Sequence, residues 1–449
     1  MPVSRDSSAE REPLYPDYPR LSRIYEQLND DEDARVCKDI PEGACRHQPR
    51  NFFAYLVANT LSKVADELSS ARLILPWLIG AAGASAGFAG FLVPIREAGV
   101  LVPQLVVAAY IRRLAQRKVV WLVGALLSML ALAGMAAAAG VLEATAMGWA
   151  IVGLLVLYSL ARGLCSVAAK DVLGKTVSKT RRGTLMGYSA SAAGVATFGV
   201  GLYAEFAVGG EGVNLTLFLA AAALLWLFSL LAFSRIEEAP GATEGGGNAL
   251  AVAVKSLGIL FSDRAFRRFV LARGLLLSIA LVPPFFVLLA QERAGSGAAG
   301  LGLMIIASGL AASLSSPVWG RLSDHSSRWA MFCASLAAAL LCALTAGLAW
   351  WDGALLESPW LHALLFFGIS ICHGGARLAR KVYLVDMANS DNRAQYVAVS
   401  NTVIGLSMLV LGAVGLLTGW IGVAGVIALL GAVSLVAAVY GLTLKEVSG

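Results

Sequence analysis

Charged side chains stand in this chain where the surrounding sequence offers them no water. Asn59, Lys63, Asp66 and Ser70 recur at steps of three and four through the largely apolar stretch that opens at Asn51. On a helix turning roughly 100° per residue they share one stripe about 60° wide. Glu67 follows Lys63 by one helical turn, at pairing distance. Arg96 and Glu97 lie between Pro94 and Pro103, Tyr158 and Arg162 one turn apart ahead of Gly163, and His373 and Arg377 in a later apolar run. An ionised group at the centre of a membrane helix costs about 2.5–3.5 kcal/mol even on lenient insertion scales, so such residues face a cavity or one another. Two kinds of chemistry follow. The cations Lys63, Arg96, Arg162 and Arg377, with Asn59, Tyr158 and His373 beside them, would hold an anionic solute. A carboxylate among Asp66, Glu67 and Glu97 would carry a proton, because burial favours its neutral form and a nearby cation its ionised form. The competing reading is a set of structural ion pairs, Lys63 with Glu67 and Arg96 with Glu97.

The elements that carry these residues are membrane helices. Of 449 residues 58% are hydrophobic and only 14% are charged, against about 25% charged in soluble domains. Residues 119–142, 183–204, 212–234, 294–320 and 329–351 contain no Asp, Glu, Lys or Arg, and 394–444 is uncharged over a length that suits two spans. A membrane helix needs roughly 20 apolar residues. Apolar runs and their breakers give twelve spans, near 52–79, 85–111, 119–141, 147–170, 184–205, 213–234, 267–290, 298–319, 329–350, 359–382, 394–417 and 420–443. Asn51 to Gly80 reads as one helix with a polar stripe, followed by a tight turn at 80–87. Residues 1–50 are polar, without the apolar stretch of a cleavable signal, and form an N-terminal segment ahead of a six-helix bundle at 51–234. Residues 235–266 are a Gly- and Pro-containing linker that continues into an amphipathic helix. A second six-helix bundle, 267–444, and a short tail, 445–449, complete the chain.

Basic residues explain the net charge of +6 without nucleic acid. They cluster in alternate loops: Arg112, Arg113, Arg117 and Lys118; Lys175, Lys179, Arg181 and Arg182; Arg321 and Arg328; Arg380, Lys381 and Arg393. The positive-inside rule puts these loops, and with them both termini, in the cytoplasm of a bacterial inner membrane. Trp350, Trp351 and Trp360 then form an outer aromatic belt. Asn214-Leu215-Thr216 matches a glycosylation sequon by chance.

The two bundles are related. Arg182-Gly183 and Arg393-Ala394 stand 211 residues apart, as do Gly163 and Gly374, and Lys170 and Lys381. The loop Ala109–Arg117 aligns with Gly320–Arg328 in the same register. Here the sequence resembles the major facilitator superfamily. Gly320-Arg321-Leu322-Ser323-Asp324 with Arg328 looks like that family's loop signature; the first-half copy departs from it, with Ala109 for Gly and Arg113 for Asp. The Arg182-Gly183 step and the small residues after it also resemble the family's fifth helix. The resemblance runs from Asn51 to Leu444. It implies an all-α membrane fold of two pseudo-symmetric six-helix bundles, alternating access about a central site, and a cytoplasmic gate built on Arg113, Arg117, Gly320, Asp324 and Arg328. For Asp324 and Arg328 the plainer reading is helix capping and inside charge.

The function expected on these grounds is secondary transport of a small organic, anionic solute by a proton-coupled monomer in the lipid bilayer. An uncoupled facilitator and a lipid or drug exporter are the alternatives on the same fold. An intramembrane enzyme is remote: the four histidines are scattered and no HExxH, GxSxG or P-loop pattern occurs. No cofactor or metal is expected; Cys37, Cys45 and His47 fit no zinc spacing, and the six cysteines form no disulfide framework. Arg273 is ambiguous, and Pro283-Pro284 reads equally as a gate hinge or a plain kink.

Overall fold

Continuous apolar sequence becomes continuous helix wherever proline, serine and glycine do not interrupt it, and the interruptions shape this molecule. The computed structural model describes residues 17–28, 40, 45–102, 107, 111, 114–207, 214–240, 257–294, 300–351, 354–388 and 393–447. Span 3 (Lys118–Val141), span 4 (Ala144–Thr176), span 6 (Leu215–Ser234), span 8 (Leu301–His325), span 9 (Ser327–Trp351) and span 10 (Pro359–Met387) are single helices. Span 5 (Lys179–Leu202) ends in a π-helical turn, Tyr203–Ala207. Span 2 is described over Gly87–Leu101. Among the described residues nine segments are long and apolar enough to cross a membrane, and the last of them, Gln395–Leu442, has 48 residues. As one helix it would be about 72 Å long, more than twice the hydrocarbon thickness. It is instead two passes: span 11 (Arg393–Leu411, then a 3₁₀ stretch, Gly412–Leu417) and span 12 (Thr418–Leu442), with Gly422 at a non-helical φ of 71°.

Span 1 corrects the expectation of an unbroken helix. It comprises Gln48–Leu68 and Ile74–Ala81, with an unwound segment between. Pro76 sits in the first turn of the second piece, where proline is tolerated, but its ring excludes a helical carbonyl at Arg72. On the other side the Ser69 hydroxyl donates back to the Ala65 carbonyl at 2.7 Å, a bond that loosens helices. Span 7 breaks likewise, into Arg264–Leu275, Leu277–Leu281 and Pro283–Ala294, the last piece opening at the proline pair.

Side chains fix the ends. Asn214 caps span 6, accepting from the Leu217 N–H, which gives that residue a structural role. Asp263 caps span 7, accepting from the N–H groups of Ala265 and Phe266 at 2.9 and 3.0 Å and from the Tyr396 hydroxyl. The expected linker helix lies mostly outside the described residues; what is described is a four-residue turn, Ile259–Ser262, before the cap. Ahead of span 1 an amphipathic helix, Pro19–Leu28, buries Tyr25 against Phe52, and Gln48 donates to the Tyr25 hydroxyl at 2.7 Å. Cys45 is disulfide-bonded, a single pairing that the absence of a disulfide framework in the sequence did not announce.

Most spans pack within their own half, whereas spans 2 and 11 pack chiefly on each other across the halves and span 5 divides its packing between spans 1 and 8. Thr176 and Met387, the last residues of spans 4 and 10, stand at the 211-residue offset of the internal repeat. The two halves approach most closely toward one end of the molecule, and spans 2 and 11 stay in contact as far as Val102 and Gly405. Gly90 of span 2 touches Gly415 beside span 11 so closely that a Cβ on Gly90 would lie 2.4 Å from the Gly415 Cα. A Cβ on Gly302 of span 8 would lie 2.6 Å from the Glu205 nitrogen of span 5. Gln291 of span 7 donates to the Trp77 carbonyl of span 1 at 2.9 Å. The exposed Trp149, Trp350, Trp351, Trp360 and Trp420 girdle this same end. The opposite, basic end carries both ends of the described chain.

Candidate functional site

A cavity of about 670 Å³ lies between the halves, lined by spans 1, 2 and 5 on one side and spans 7, 8 and 10 on the other. Its lining runs from Asp66 and Arg96 at mid-depth to Trp319 and Lys381 toward the basic end. The closest contacts that join the halves, Gly90 to Gly415 and Gly302 to Glu205, lie toward the other end.

The first-half wall is a salt-bridge cluster. Asp66 of span 1 receives Arg96 of span 2 at 3.0 Å, Arg162 of span 4 at 2.6 Å, and the Tyr158 hydroxyl at 2.6 Å. The Arg96 guanidinium lies 5.1 Å from the Tyr158 ring centroid, and Arg162 lies 4.8 Å from that of Trp226 in span 6. The Trp226 indole in turn donates to the Tyr158 hydroxyl at 3.3 Å. One carboxylate therefore ties together three spans, and Trp226 joins a fourth to the cluster through Tyr158 and Arg162. Buried charges must be paired and hydrogen-bonded, and this cluster meets that demand internally. Arg96, Tyr158 and Arg162, singled out as solute ligands, each bond to Asp66, singled out as a proton carrier; of the four, Asp66 and Arg96 line the cavity and Tyr158 and Arg162 do not.

Beside it lies a second pair that sequence spacing did not suggest. Arg72, in the unwound segment of span 1, meets Glu97 of span 2 at 3.0 Å. The expected pairs Lys63–Glu67 and Arg96–Glu97 are replaced by Asp66–Arg96, Asp66–Arg162 and Arg72–Glu97. Glu67 has no counter-charge within ion-pair distance among the described residues and is exposed to the cavity. Asn59 lies off the cavity lining and donates to Ser189 of span 5 at 2.8 Å; Lys63 is also absent from the lining.

Span 10 supplies the second-half wall. His373, Arg377 and Lys381, at i, i+4 and i+8, share a helical face on the cavity with Ser370. His373 is 8% exposed, and its Nε2 has no hydrogen-bond partner. Among the described residues neither Arg377 nor Lys381 has a counter-ion. Trp319 of span 8 braces this face, donating to the Ile371 carbonyl at 3.0 Å; it packs where a Cβ on Gly375 would intrude. Pro283 at the span 7 break also lines the cavity. Arg273 is buried away from it, donating to Ser400 and Asn401 of span 11 at 2.6 and 2.9 Å.

At the basic end the expected gate residues make other contacts. Arg113 lies outside the described residues. Arg117 pairs with Asp171 at 3.3 Å, and its backbone N–H and that of Lys118 donate to Glu238 at 3.0 and 2.7 Å. Glu238 also takes Lys175 at 2.9 Å. A carboxylate here meets both the free N–H groups and the positive dipole end of span 3. In the second half Arg328 meets Glu446 at 3.2 Å, and the Ser326 hydroxyl donates to the same glutamate at 2.7 Å. Gly320 has nothing against its Cα side within 4 Å, and Asp324 forms no ion pair among the described residues. Each of these contacts stays within one half. Glu238 and Glu446, which sequence reading passed over, both follow the last span of their bundle. Among the described residues no group of His, Cys, Asp or Glu is arranged to hold a metal ion.

Residues 275–448 match the family model described as Major Facilitator Superfamily. No curated protein matches the chain in sequence. Among solved structures it is similar to the nucleoside transporter NupG, with a TM-score of 0.70 at 13% identity, covering 88% of this chain and 99% of that one. A D-xylose–proton symporter gives 0.68 at 13% identity over 89% and 99% of the two chains. A peptide transporter, POT, in complex with sulfate gives 0.66 at 13% over 92% and 97%. The second half of this multi-pass protein thus matches the major facilitator superfamily in sequence, and the fold seen in these transporters is shared over nearly all of the chain.

Proposed function

We propose that the protein is a proton-coupled secondary transporter for a small organic solute bearing an anionic group, working by alternating access. The observation that carries the reading is the cavity between the halves, with Arg377 and Lys381 facing it uncompensated and His373 offering an unused ring nitrogen. Cations without counter-ions in a low-dielectric site are costly, and an arriving anion relieves that cost. The basic end is cytoplasmic by the positive-inside rule, so contact between halves at the tryptophan-rich end corresponds to an inward-facing state.

Proton coupling is assigned to Glu97. Its partner Arg72 sits in unwound backbone, the part of span 1 best able to move when the halves rock. While Arg72 stays, Glu97 is compensated as an anion by an ion pair; once it leaves, the carboxyl loses that partner and taking a proton becomes more favourable. The similarity to a D-xylose–proton symporter is consistent with coupling, at an identity too low to carry a substrate across.

The test is a thermal-shift screen of the purified protein at two pH values with carboxylates, phosphate esters and neutral sugars, followed by transport in proteoliposomes. Anionic ligands should stabilise the protein and Arg377→Gln should abolish the shift at least tenfold in ligand concentration. Glu97→Gln should keep exchange of solute but lose accumulation driven by a pH gradient. Stabilisation by neutral sugars that ignores Arg377→Gln would remove the anionic solute. Gradient-driven accumulation surviving in Glu97→Gln would leave an uncoupled facilitator or another carrier of the proton.

A further inference from the structure

The charge left uncompensated around the cavity is not of one sign. Arg377 and Lys381 stand on span 10, in the second half; Glu67 stands on span 1, in the first. Every other ionised side chain that lines the cavity is paired: Asp66 with Arg96 and Arg162, and Glu97 with Arg72. An anionic solute alone would satisfy the second-half wall and leave Glu67 facing it, repelled.

The backbone around Glu67 points the same way. Glu67 is the penultimate residue of Gln48–Leu68, a helix of 21 residues that stops at the cavity. The carbonyls of its last turn carry the negative end of the helix dipole, and half-helix C-termini of this kind are cation sites in transporters. Arg72, the nearest candidate to neutralise Glu67, is turned to Glu97 instead. His373, buried to 8% exposure with its Nε2 unused, lies across the cavity on the same face as Arg377. The two walls are thus a carboxylate with a helix C-terminus on one side and two cations with a free imidazole nitrogen on the other.

From this we infer that the solute is a zwitterion of the amino-acid or short-peptide type: its acidic group sits against His373, Arg377 and Lys381, and its protonated amine against Glu67 and the end of the broken helix. The inference rests on the proposed function for the anionic contact and adds the cationic one. A molecule carrying both charges bridges the halves, so its binding energy favours the arrangement in which both walls reach it. A monovalent anion has no such hold on the first half.

The experiment compares three series of probes on purified protein by thermal shift. The first is free amino acids and dipeptides, the second their N-acetyl forms, which keep only the anion, and the third their amides, which keep only the cation. Wild type is expected to respond to zwitterions at concentrations at least tenfold below either blocked series. Glu67→Gln should erase that advantage over N-acetyl forms and leave their own response unchanged, while Arg377→Gln should weaken zwitterions and N-acetyl forms alike. The melting temperature of each variant without ligand controls for folding, with Glu67→Asp expected to restore part of the preference. Equal response to zwitterions and N-acetyl forms, indifferent to Glu67→Gln but lost in Arg377→Gln, overturns the inference and leaves the anionic site standing. Indifference of all probes to Arg377→Gln, or no response to any series, overturns the inference; the former takes the anionic site with it.

Discussion

At the scale of single residues, two neighbours in sequence have opposite environments. Asp66 lines the cavity but is held by Arg96, Arg162 and Tyr158, whereas Glu67, about 100° further round the helix, faces the cavity with no ion-pair partner among the described residues. The sequence marks both as out of place in lipid, and the stripe on span 1 is legible from spacing alone. Their partners are not legible, because pairing depends on how four helices are rotated against each other, and one residue of rotation exchanges a keystone for a free ligand. Lys63 and Glu67 are close in sequence yet contribute no pair, and Arg72, which does pair, lies in backbone that helical spacing cannot describe. Asp66→Asn should therefore act on the bundle before it acts on coupling. It leaves two guanidinium groups facing each other, and removing one partner of a buried pair costs roughly 3–5 kcal/mol. Melting temperature should fall, and accumulation and exchange should fail together. A variant that melts like wild type and loses accumulation alone would return the proton to Asp66.

At the scale of elements, the positions and number of helices were readable from apolar runs, while their breaks were readable only in part. The proline pair of span 7 announced its interruption; Pro76 gave the same signal in span 1, but the polar stripe around it read as one amphipathic face. Pro76→Ala tests what the break does. An interior proline costs a helix about 3 kcal/mol, so alanine makes a continuous span 1 accessible and draws Arg72 into helical register away from Glu97. Turnover in proteoliposomes should drop at least tenfold with melting temperature unchanged or raised; unaltered turnover would mean that mobility at Arg72 is not required. Asp263 offers a separate test at the start of span 7. Burial pushes its carboxyl up, but hydrogen bonds from Tyr396 and the N–H groups of Phe266 and Ala265 outweigh this and hold it below the usual value of 3.8. A depressed carboxyl stabilises the fold above the unfolded value and ceases to do so as pH falls through the folded one. Asp263→Ala should cost about 1 kcal/mol near neutrality, and the gap from wild type should close below about pH 4. A gap that persists in acid would assign the effect to packing.

At the scale of the whole molecule, the internal repeat at 211 residues and the alternation of basic loops order the helices in sequence into two related halves. The state in which the bundles sit was not written in either signal, since both states of a rocking transporter use the same helices and differ by contacts between glycines and loop ends. Those contacts decide it here. Spans 2 and 11 touch backbone to backbone at Gly90 and Gly415, an approach that only a residue without a Cβ permits. Gly415→Leu should therefore wedge the tryptophan-rich end apart and populate the opposite state. A cysteine placed at Ser308, on the cavity wall, and probed with a membrane-impermeant thiol reagent reports which end is open. In the parent protein it should react from the basic side; with Gly415→Leu, reaction from the other side should quicken at least tenfold. Gly419→Leu, four residues on and with nothing within 4 Å of its Cβ position, should leave labelling as it is. Because the two substitutions add the same side chain to the same segment, a shift common to both would reflect added bulk, and no shift in either would mean that the glycine contact does not hold this end shut.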